Sequence, residues 1–168
     1  MLYSIVIIII VSIFIMIYSP FIGLSFLLSS VGYLLAVVIH ELGHWAVTMY
    51  YCKSLNYSCQ IKLFSLSKDF EPHTESEYYS YLEHNRSDKN IQRIIRNIAI
   101  AGYCSSFACL LLLLIVSLTL FFVFGLEFFM LTSLFIILFI SLDVWFCLHS
   151  SDRQAVKDPA NFYYKYKS

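Results

Sequence analysis

Residues 31–51 read VGYLLAVVIHELGHWAVTMYY, an apolar run with two histidines and a glutamate near its middle. A helix needs about 20 residues to cross the hydrocarbon core of a bilayer, and this run supplies that length. Residues 1–39 contain no charged side chain. The stretch therefore predicts a membrane-spanning helix that holds ionisable groups inside the bilayer.

A second apolar stretch, residues 97–142, contains one charged residue, Glu127, and a glycine at position 125 where the helix can break. We expect helices at about residues 2–19, 31–51, 94–123 and 127–149. The predicted fold class is an all-α integral membrane protein with about four transmembrane helices. Residues 1–168 are predicted to form a single membrane-embedded domain.

The overall composition supports this class and excludes others. Hydrophobic residues make up 60% of the chain and charged residues 13%, and the mean hydropathy is +0.74. These values exclude an ordinary soluble domain, a disordered chain and a fibrous repeat. Because 11 basic residues balance 11 acidic ones, the chain lacks the basic surplus of nucleic-acid-binding domains, and we expect no nucleic-acid partner.

Basic residues predict the orientation of the chain in the membrane. Seven lie at positions 53–96 and four at positions 153–167, and the other connections contain none. The positive-inside rule then places the loop 52–93 and both termini in the cytoplasm, at the plasma membrane. There Cys52 and Cys59 are expected to be free thiols. The first apolar segment lacks a basic n-region and a clear cleavage site, which favours an uncleaved helix over a signal peptide.

The cytoplasmic loop 52–93 contains a pattern typical of β-structure. Polar and apolar residues alternate over residues 55–63, which predicts a half-buried strand, and residues 64–70 could form a second one. A small β-hairpin is therefore part of the predicted fold. Its edge could bind an extended substrate segment, or the hairpin could be structural only. Further along the loop, Tyr78, Tyr79 and Tyr81 are expected at the membrane surface.

The apolar run 31–51 contains the sequence HELGH at residues 40–44. Positions i and i+4 share one face of a helix, so His40 and His44 can bind one metal ion. This is the His-Glu-x-x-His pattern of zinc hydrolases, in which the ion activates a water and the glutamate, here Glu41, acts as general base. Charged groups in hydrocarbon are costly, which favours a functional site over a packing cluster or an inactive remnant.

A catalytic zinc ion usually has three protein ligands, so a third must come from elsewhere. Asp143 lies inside the last apolar run, and Asp152 lies just beyond its end. His149 is a further candidate. Spacing alone does not choose between them, because Asp152 could also cap a short helix.

Taken together, these motifs resemble the site-2 protease type of intramembrane metalloproteases. The resemblance covers residues 31–160 and rests on the His-Glu-x-x-His helix, on the segment IAIAGY at residues 98–103, and on Asp152. It implies that Asp152 is the third zinc ligand, beside His40 and His44. The chain departs from the family at three points: Tyr103 replaces a proline, Arg153 replaces a glycine, and no proline precedes Asp152.

The resemblance implies that the chain is a zinc endopeptidase, a metalloprotease domain that cleaves in or near a transmembrane segment. The expected partners are the lipid bilayer and a substrate that is a membrane-anchored protein or a hydrophobic peptide. Two alternatives remain from the sequence. One is an inactive pseudoprotease that binds hydrophobic peptides or a membrane partner, and the other is a protein that handles zinc.

Overall fold

A computed structural model describes residues 2–54, 61–66 and 72–161 of the chain. Most of the described residues are helical. The elements are α1 (Leu2–Tyr18), α2 (Pro20–Ser54), β1 (Ile61–Leu66), β2 (Pro72–Ser76), α3 (Glu77–His84), α4 (Lys89–Phe124), α5 (Glu127–His149) and α6 (Ser151–Lys157).

Three of the described helices, α2, α4 and α5, are long and apolar enough to cross a membrane. The chain is therefore a membrane protein, but the prediction of about four transmembrane helices is wrong for the described residues. The first helix, α1, has 17 residues. At about 1.5 Å per residue it rises roughly 25 Å, less than the roughly 30 Å of the hydrocarbon core.

The second helix starts earlier than the sequence predicted. We expected a break within residues 20–32, yet α2 begins at Pro20 and continues for 35 residues to Ser54. Proline disfavours helical backbone in the residue before it and is well suited to the first helical turn, so the chain breaks at Ser19. The glycines and serines that follow do not interrupt the helix, because in lipid the backbone must satisfy its own hydrogen bonds.

The strand part of the fold-class prediction is also wrong in its bounds. We expected strands at residues 55–63 and 64–70, but β1 runs through that boundary from Ile61 to Leu66, and its antiparallel partner β2 begins at Pro72. The register shifts between Lys62 and Ser65. The alternation of polar and apolar residues indicates which face of a strand each residue lies on. Pairing with a partner strand determines where the strand begins and ends. Residues 55–60 and 67–71 lie outside the described residues.

Contacts along the chain define two compact units. The apolar unit comprises Met1–Val38 and Phe107–Trp145. Small polar side chains join its helices: the Ser29 hydroxyl donates to the Thr132 carbonyl at 3.1 Å, and the Ser117 hydroxyl donates to the Phe129 carbonyl at 2.9 Å. Such contacts are typical of helix packing in membranes. Many large apolar side chains of this unit are exposed, as expected for a surface that faces lipid.

The second unit, which we call the site unit, comprises Ile39–Ser106 and Phe146–Ser168. Its core joins the carboxyl end of α2, the helix α3, the first turns of α4 and the helix α6. The core residues are Cys52, Tyr78, Tyr79, Leu82, Ile91, Ile94, Ile95, Ile98, Ala99 and Ala155. Tyr78 and Tyr79, which we expected at the membrane surface, are thus buried in the core of this unit. Tyrosine suits an interface and a protein core alike, so its presence does not distinguish them.

The ends of α4 follow from local sequence. At its start, the Asp88 side chain accepts a hydrogen bond from the Asn90 backbone N–H at 2.7 Å, which is helix N-capping. At its end, Gly125 has a φ of 64°, a left-handed conformation that glycine adopts without strain. The next helix, α5, begins at Glu127 and ends at His149, the same bounds as the predicted helix.

Cys52 differs from its prediction. We expected a free thiol, but Cys52 is disulfide-bonded. The prediction came from the compartment assigned to the loop, whereas bond formation depends on how closely the chain folds back on itself. Cys59 lies outside the described residues.

Candidate metal centre

The helix α2 carries His40 and His44 one turn apart, as their spacing predicts. Their ring centroids are 4.7 Å apart, and the two Nε2 atoms are 3.0 Å apart. Both side chains therefore direct the same ring nitrogen towards one point. This convergence is what two histidines at i and i+4 require to share a metal ion.

The orientation of His44 is fixed by a hydrogen bond from α4. Its Nδ1 lies 2.8 Å from the carbonyl oxygen of Ile98. A carbonyl oxygen only accepts, so Nδ1 carries the proton and donates it. With Nδ1 engaged in this way, Nε2 is the nitrogen that binds a metal ion once it has lost its proton. The side chain is largely buried, with 8% of the residue exposed.

Asp152 completes the cluster. Its Oδ2 atom lies 3.4 Å from His40 Nε2 and 3.3 Å from His44 Nε2. Burial by itself would raise the pKa of the Asp152 carboxyl, but hydrogen bonds and charge attraction from the two histidines outweigh burial and hold the pKa well below its ordinary value. Asp152 is therefore a carboxylate, the form that coordinates metal ions.

A helix break brings Asp152 to the histidines. The helix α5 ends at His149, and Ser150 has extended backbone with a φ of −82° and a ψ of 166°. The Ser150 hydroxyl accepts a hydrogen bond from the Arg153 backbone N–H and so caps α6, which begins at Ser151. Asp152 then lies in the first turn of α6. The break thus forms without the proline that the family resemblance would supply.

The three ligand atoms fit a zinc ion. All of them lie within 4.8 Å of one another, and the closest pairs are 3.0–3.4 Å apart. Tetrahedral zinc holds nitrogen and oxygen ligands at about 2.0–2.1 Å, which puts them roughly 3.3 Å from each other. Two histidines and one carboxylate leave a fourth position open, which is typical of catalytic zinc sites.

Space for an ion comes from Gly102 on α4. A Cβ atom at this position would lie 2.4 Å from His44 Nε2 and 2.8 Å from His40 Nε2. Any side chain there would enter the region that both nitrogen lone pairs face. The absence of a side chain at Gly102 is therefore an independent sign that this pocket of the site unit accommodates an ion.

Close packing of α4 on α2 brings Gly102 to this place. A Cβ atom at Gly43 would lie 2.4 Å from Ser105 Oγ and 2.6 Å from the Ala101 carbonyl oxygen. The Ser105 hydroxyl also donates across to the Ile39 carbonyl at 2.9 Å. The small residues Gly43, Ala101 and Ser105 thus permit the close approach of α4 to α2.

Glu41, the predicted general base, is buried, with 8% of the residue exposed. Nearby, the Tyr79 hydroxyl lies 3.2 Å from Thr48 Oγ1. Burial raises the pKa of Tyr79 above its ordinary value, and the charges of Glu41 and Asp152 raise it further, while the hydrogen bond with Thr48 lowers it. Tyr79 therefore shares the environment of both carboxylates, a role for which its sequence context carries no signal.

The other predicted ligands lie elsewhere. Asp143 belongs to the apolar unit, and His149 is exposed at the end of α5. Neither belongs to the group formed by His40, His44 and Asp152, which is the one such group of histidine, cysteine and acidic residues in the described part of the chain.

Sequence reasoning noted Tyr103 only as a departure from the family pattern. In the structure, its ring meets the His40 ring edge to face, with centroids 5.6 Å apart. Its hydroxyl reaches Ser150 and the Cys147 carbonyl oxygen. Tyr103 thus contacts both a ligand and the segment that carries another.

The chain was compared with known protein families, with curated proteins and with solved structures, and none of the three comparisons gave a match.

Proposed function

We propose that this membrane protein is an intramembrane zinc endopeptidase, with His40, His44 and Asp152 as metal ligands and Glu41 as general base. One observation carries the proposal: three ligand atoms converge within 4.8 Å around a helix that is apolar enough to span a membrane. The segments HELGH at residues 40–44 and IAIAGY at residues 98–103, together with Asp152, resemble site-2 proteases and support the same function. The chain contributes the ligands, the base and the space for an ion from one unit.

The proposed reaction is hydrolysis of a peptide bond. Bound zinc would lower the pKa of a coordinated water and polarise the carbonyl oxygen of the substrate. Glu41 accepts a proton from the water while the water oxygen attacks the carbonyl carbon of the peptide bond. It then returns the proton to the nitrogen as the C–N bond breaks, so one water is consumed and the products are a carboxylate and an amine.

A hydrogen bond to His44 and the charge of Asp152 prepare the ligands for this chemistry. The Ile98 carbonyl keeps the His44 proton on Nδ1, so Nε2 stays free for the metal. Asp152 supplies one negative charge, which partly balances a divalent ion in a weakly polar environment.

The substrate class follows from the position of the motif. Glu41 and the ligands His40 and His44 lie on α2, where the neighbouring residue Leu42 is exposed and apolar. A substrate that reaches this helix from lipid must itself be apolar, which fits a membrane-anchored protein or a hydrophobic peptide. We propose the same partners that the resemblance implies, together with the lipid bilayer.

We further propose a plasma-membrane location with the termini and the loop 52–93 in the cytoplasm, from the distribution of basic residues. The bonding state of Cys52 tests this orientation, because disulfides are typical of oxidising compartments and rare in the cytoplasm. A cytoplasmic loop would hold Cys52 reduced in growing cells. Alkylation of whole cells under acid quench, followed by peptide mapping, measures this directly, and an oxidised Cys52 would place the loop outside.

Zinc content of the detergent-purified protein tests the function. We expect about one zinc per chain in the wild type and in Asp143→Ala, and loss of zinc in His44→Ala and Asp152→Ala. A folded wild-type protein without zinc would overturn the proposal. That result would favour the inactive, peptide-binding alternative, in which the three side chains form only a polar cluster.

A further inference from the structure

The break between α5 and α6 is held from the side by α4. The Tyr103 hydroxyl forms a hydrogen bond with the Ser150 hydroxyl, and it donates to the Cys147 carbonyl oxygen at 3.2 Å. The Ser150 hydroxyl is also within 3.2 Å of the Cys147 carbonyl. Two hydroxyls thus converge on one carbonyl in the last turn of α5.

Arg153 satisfies the next carbonyl of the same helix end. Its guanidinium donates to the Leu148 carbonyl oxygen at 2.5 Å. Tyr103 and Arg153 are two of the residues at which this chain departs from the site-2 protease pattern, and both act on the last turn of α5. The departures are therefore consistent with each other: together they stabilise a helix end that in this chain has no proline to define it.

The position of Asp152 depends on this break. If α5 continued as a regular helix, Asp152 would follow its rotation and rise and would not turn back at Ser150. Ser150 instead caps α6, and Asp152 follows two residues later in the first turn. Whatever fixes Ser150 therefore also fixes the direction of the Asp152 carboxylate.

We propose that Tyr103 is a positioning residue for the metal site: its hydroxyl holds Ser150 at the α5–α6 break, so that Asp152 faces His40 and His44. The ring of Tyr103 packs against His40 at the same time. One side chain therefore contacts a ligand and also the segment that carries Asp152. This inference rests on the proposed function, because it assigns Tyr103 a role in binding the same ion.

The test is zinc affinity, measured by competition with a chromogenic chelator on the detergent-purified full chain. Tyr103→Phe keeps the ring on His40 and removes the hydroxyl, and we expect zinc affinity to fall by roughly 10–100-fold, as for other residues that orient ligands. Tyr50→Phe is the matched control, because Tyr50 is an exposed tyrosine on α2, and it should bind zinc like the wild type.

Ser150 gives an independent variant of the same contact. Ser150→Ala removes the partner hydroxyl and should weaken zinc binding to a similar extent, whereas Ser150→Thr keeps both the hydroxyl and the capping ability and should restore it. Ser141→Ala is the control, because the Ser141 hydroxyl bonds only within its own helix, to Ile137, among the contacts observed.

A double-mutant cycle separates positioning from a general loss of structure. If Tyr103 acts through its hydrogen bond with Ser150, then Tyr103→Phe should lower zinc affinity in the wild type but add little in the Ser150→Ala background. An equal loss in both backgrounds would overturn the inference, as would wild-type affinity in Tyr103→Phe. Absence of zinc from the folded wild type would instead contradict the proposed function itself, so the two failures are distinguishable.

Discussion

A Cβ atom at Gly102 would lie 2.4 Å from the Nε2 atom of His44, closer than real Cβ atoms approach another atom. The contact is with the ring nitrogen that faces the other ligands, so the missing side chain leaves room at the point where the ligands converge. Gly102 lies on α4, 58 positions from His44 by their residue numbers, and only the packing of two helices brings them together.

Gly102→Ala should therefore abolish stoichiometric zinc binding. The added methyl group would displace both imidazoles or occupy the position of the ion, and the loss of affinity should exceed the roughly 10–100-fold effect of losing one orienting contact. Zinc analysis after gel filtration measures this. Gly32→Ala is the matched control, because a Cβ there meets only the flexible end of Leu113. Full zinc content in Gly102→Ala would contradict the assigned site.

Glu41→Gln should separate metal binding from hydrolysis. Glutamine keeps the shape of the side chain but cannot accept the proton, so peptide hydrolysis should fall by about 10²–10⁴-fold while zinc content stays unchanged. Cleavage of a tagged hydrophobic peptide in proteoliposomes is the measurement. Glu127→Gln, an exposed glutamate at the start of α5, should keep full activity. Equal activity of Glu41→Gln and wild type would remove Glu41 from the mechanism.

Gly43→Ala should destabilise the packing of α2 on α4. Its Cβ would lie 2.6 Å from the Ala101 carbonyl oxygen, a backbone atom that cannot rotate away. Overpacking of this kind costs about 1–3 kcal/mol, which should lower the thermal unfolding midpoint in detergent. The comparison is Ala46→Ser, a small change at an exposed position of the same helix. An unchanged midpoint for Gly43→Ala would show that the helices can separate without loss of stability.

Alkaline pH should destabilise the site unit through its buried tyrosines. Burial, with smaller contributions from Tyr81 and Tyr51, raises the pKa of Tyr78 to about 12. The unfolded chain releases this proton near its ordinary pKa of about 10, so the folded state binds more protons between these values. Stability that is present below pH ~10 is therefore lost as pH rises towards ~12.

Tyr78→Phe tests this pH dependence, because it removes the ionisable group and keeps the ring. The variant should lose less stability than the wild type between pH ~10 and ~12, as measured by denaturant unfolding at each pH. Tyr50→Phe, at an exposed position, should follow the wild type. Parallel pH profiles for the wild type and Tyr78→Phe would show that Tyr78 is not the titrating group.

The membrane class and half of the site could be predicted from local sequence. Long apolar runs determine spanning helices because lipid offers the backbone no hydrogen bonds, and that constraint acts within a single segment. His40 and His44 share a face because the helix period is local. The helix end at Gly125 was equally local, and Gly125 has a left-handed backbone conformation at the end of α4.

Tertiary structure decided the rest. The spacing left Asp143, His149 and Asp152 as alternatives, and only the break at Ser150 and the packing of α4 bring Asp152 to the histidines. The roles of Gly102, Tyr79 and Tyr103 at the metal site could not be predicted from the sequence, because they depend on contacts between segments far apart in the chain. Strand bounds and the start of α2 were predicted wrongly, since pairing register and the position of a proline outweigh composition. Local periodicity thus determined the helices and the shared face of the two histidines. The third ligand and the space for an ion depend instead on packing between segments that are far apart in the chain.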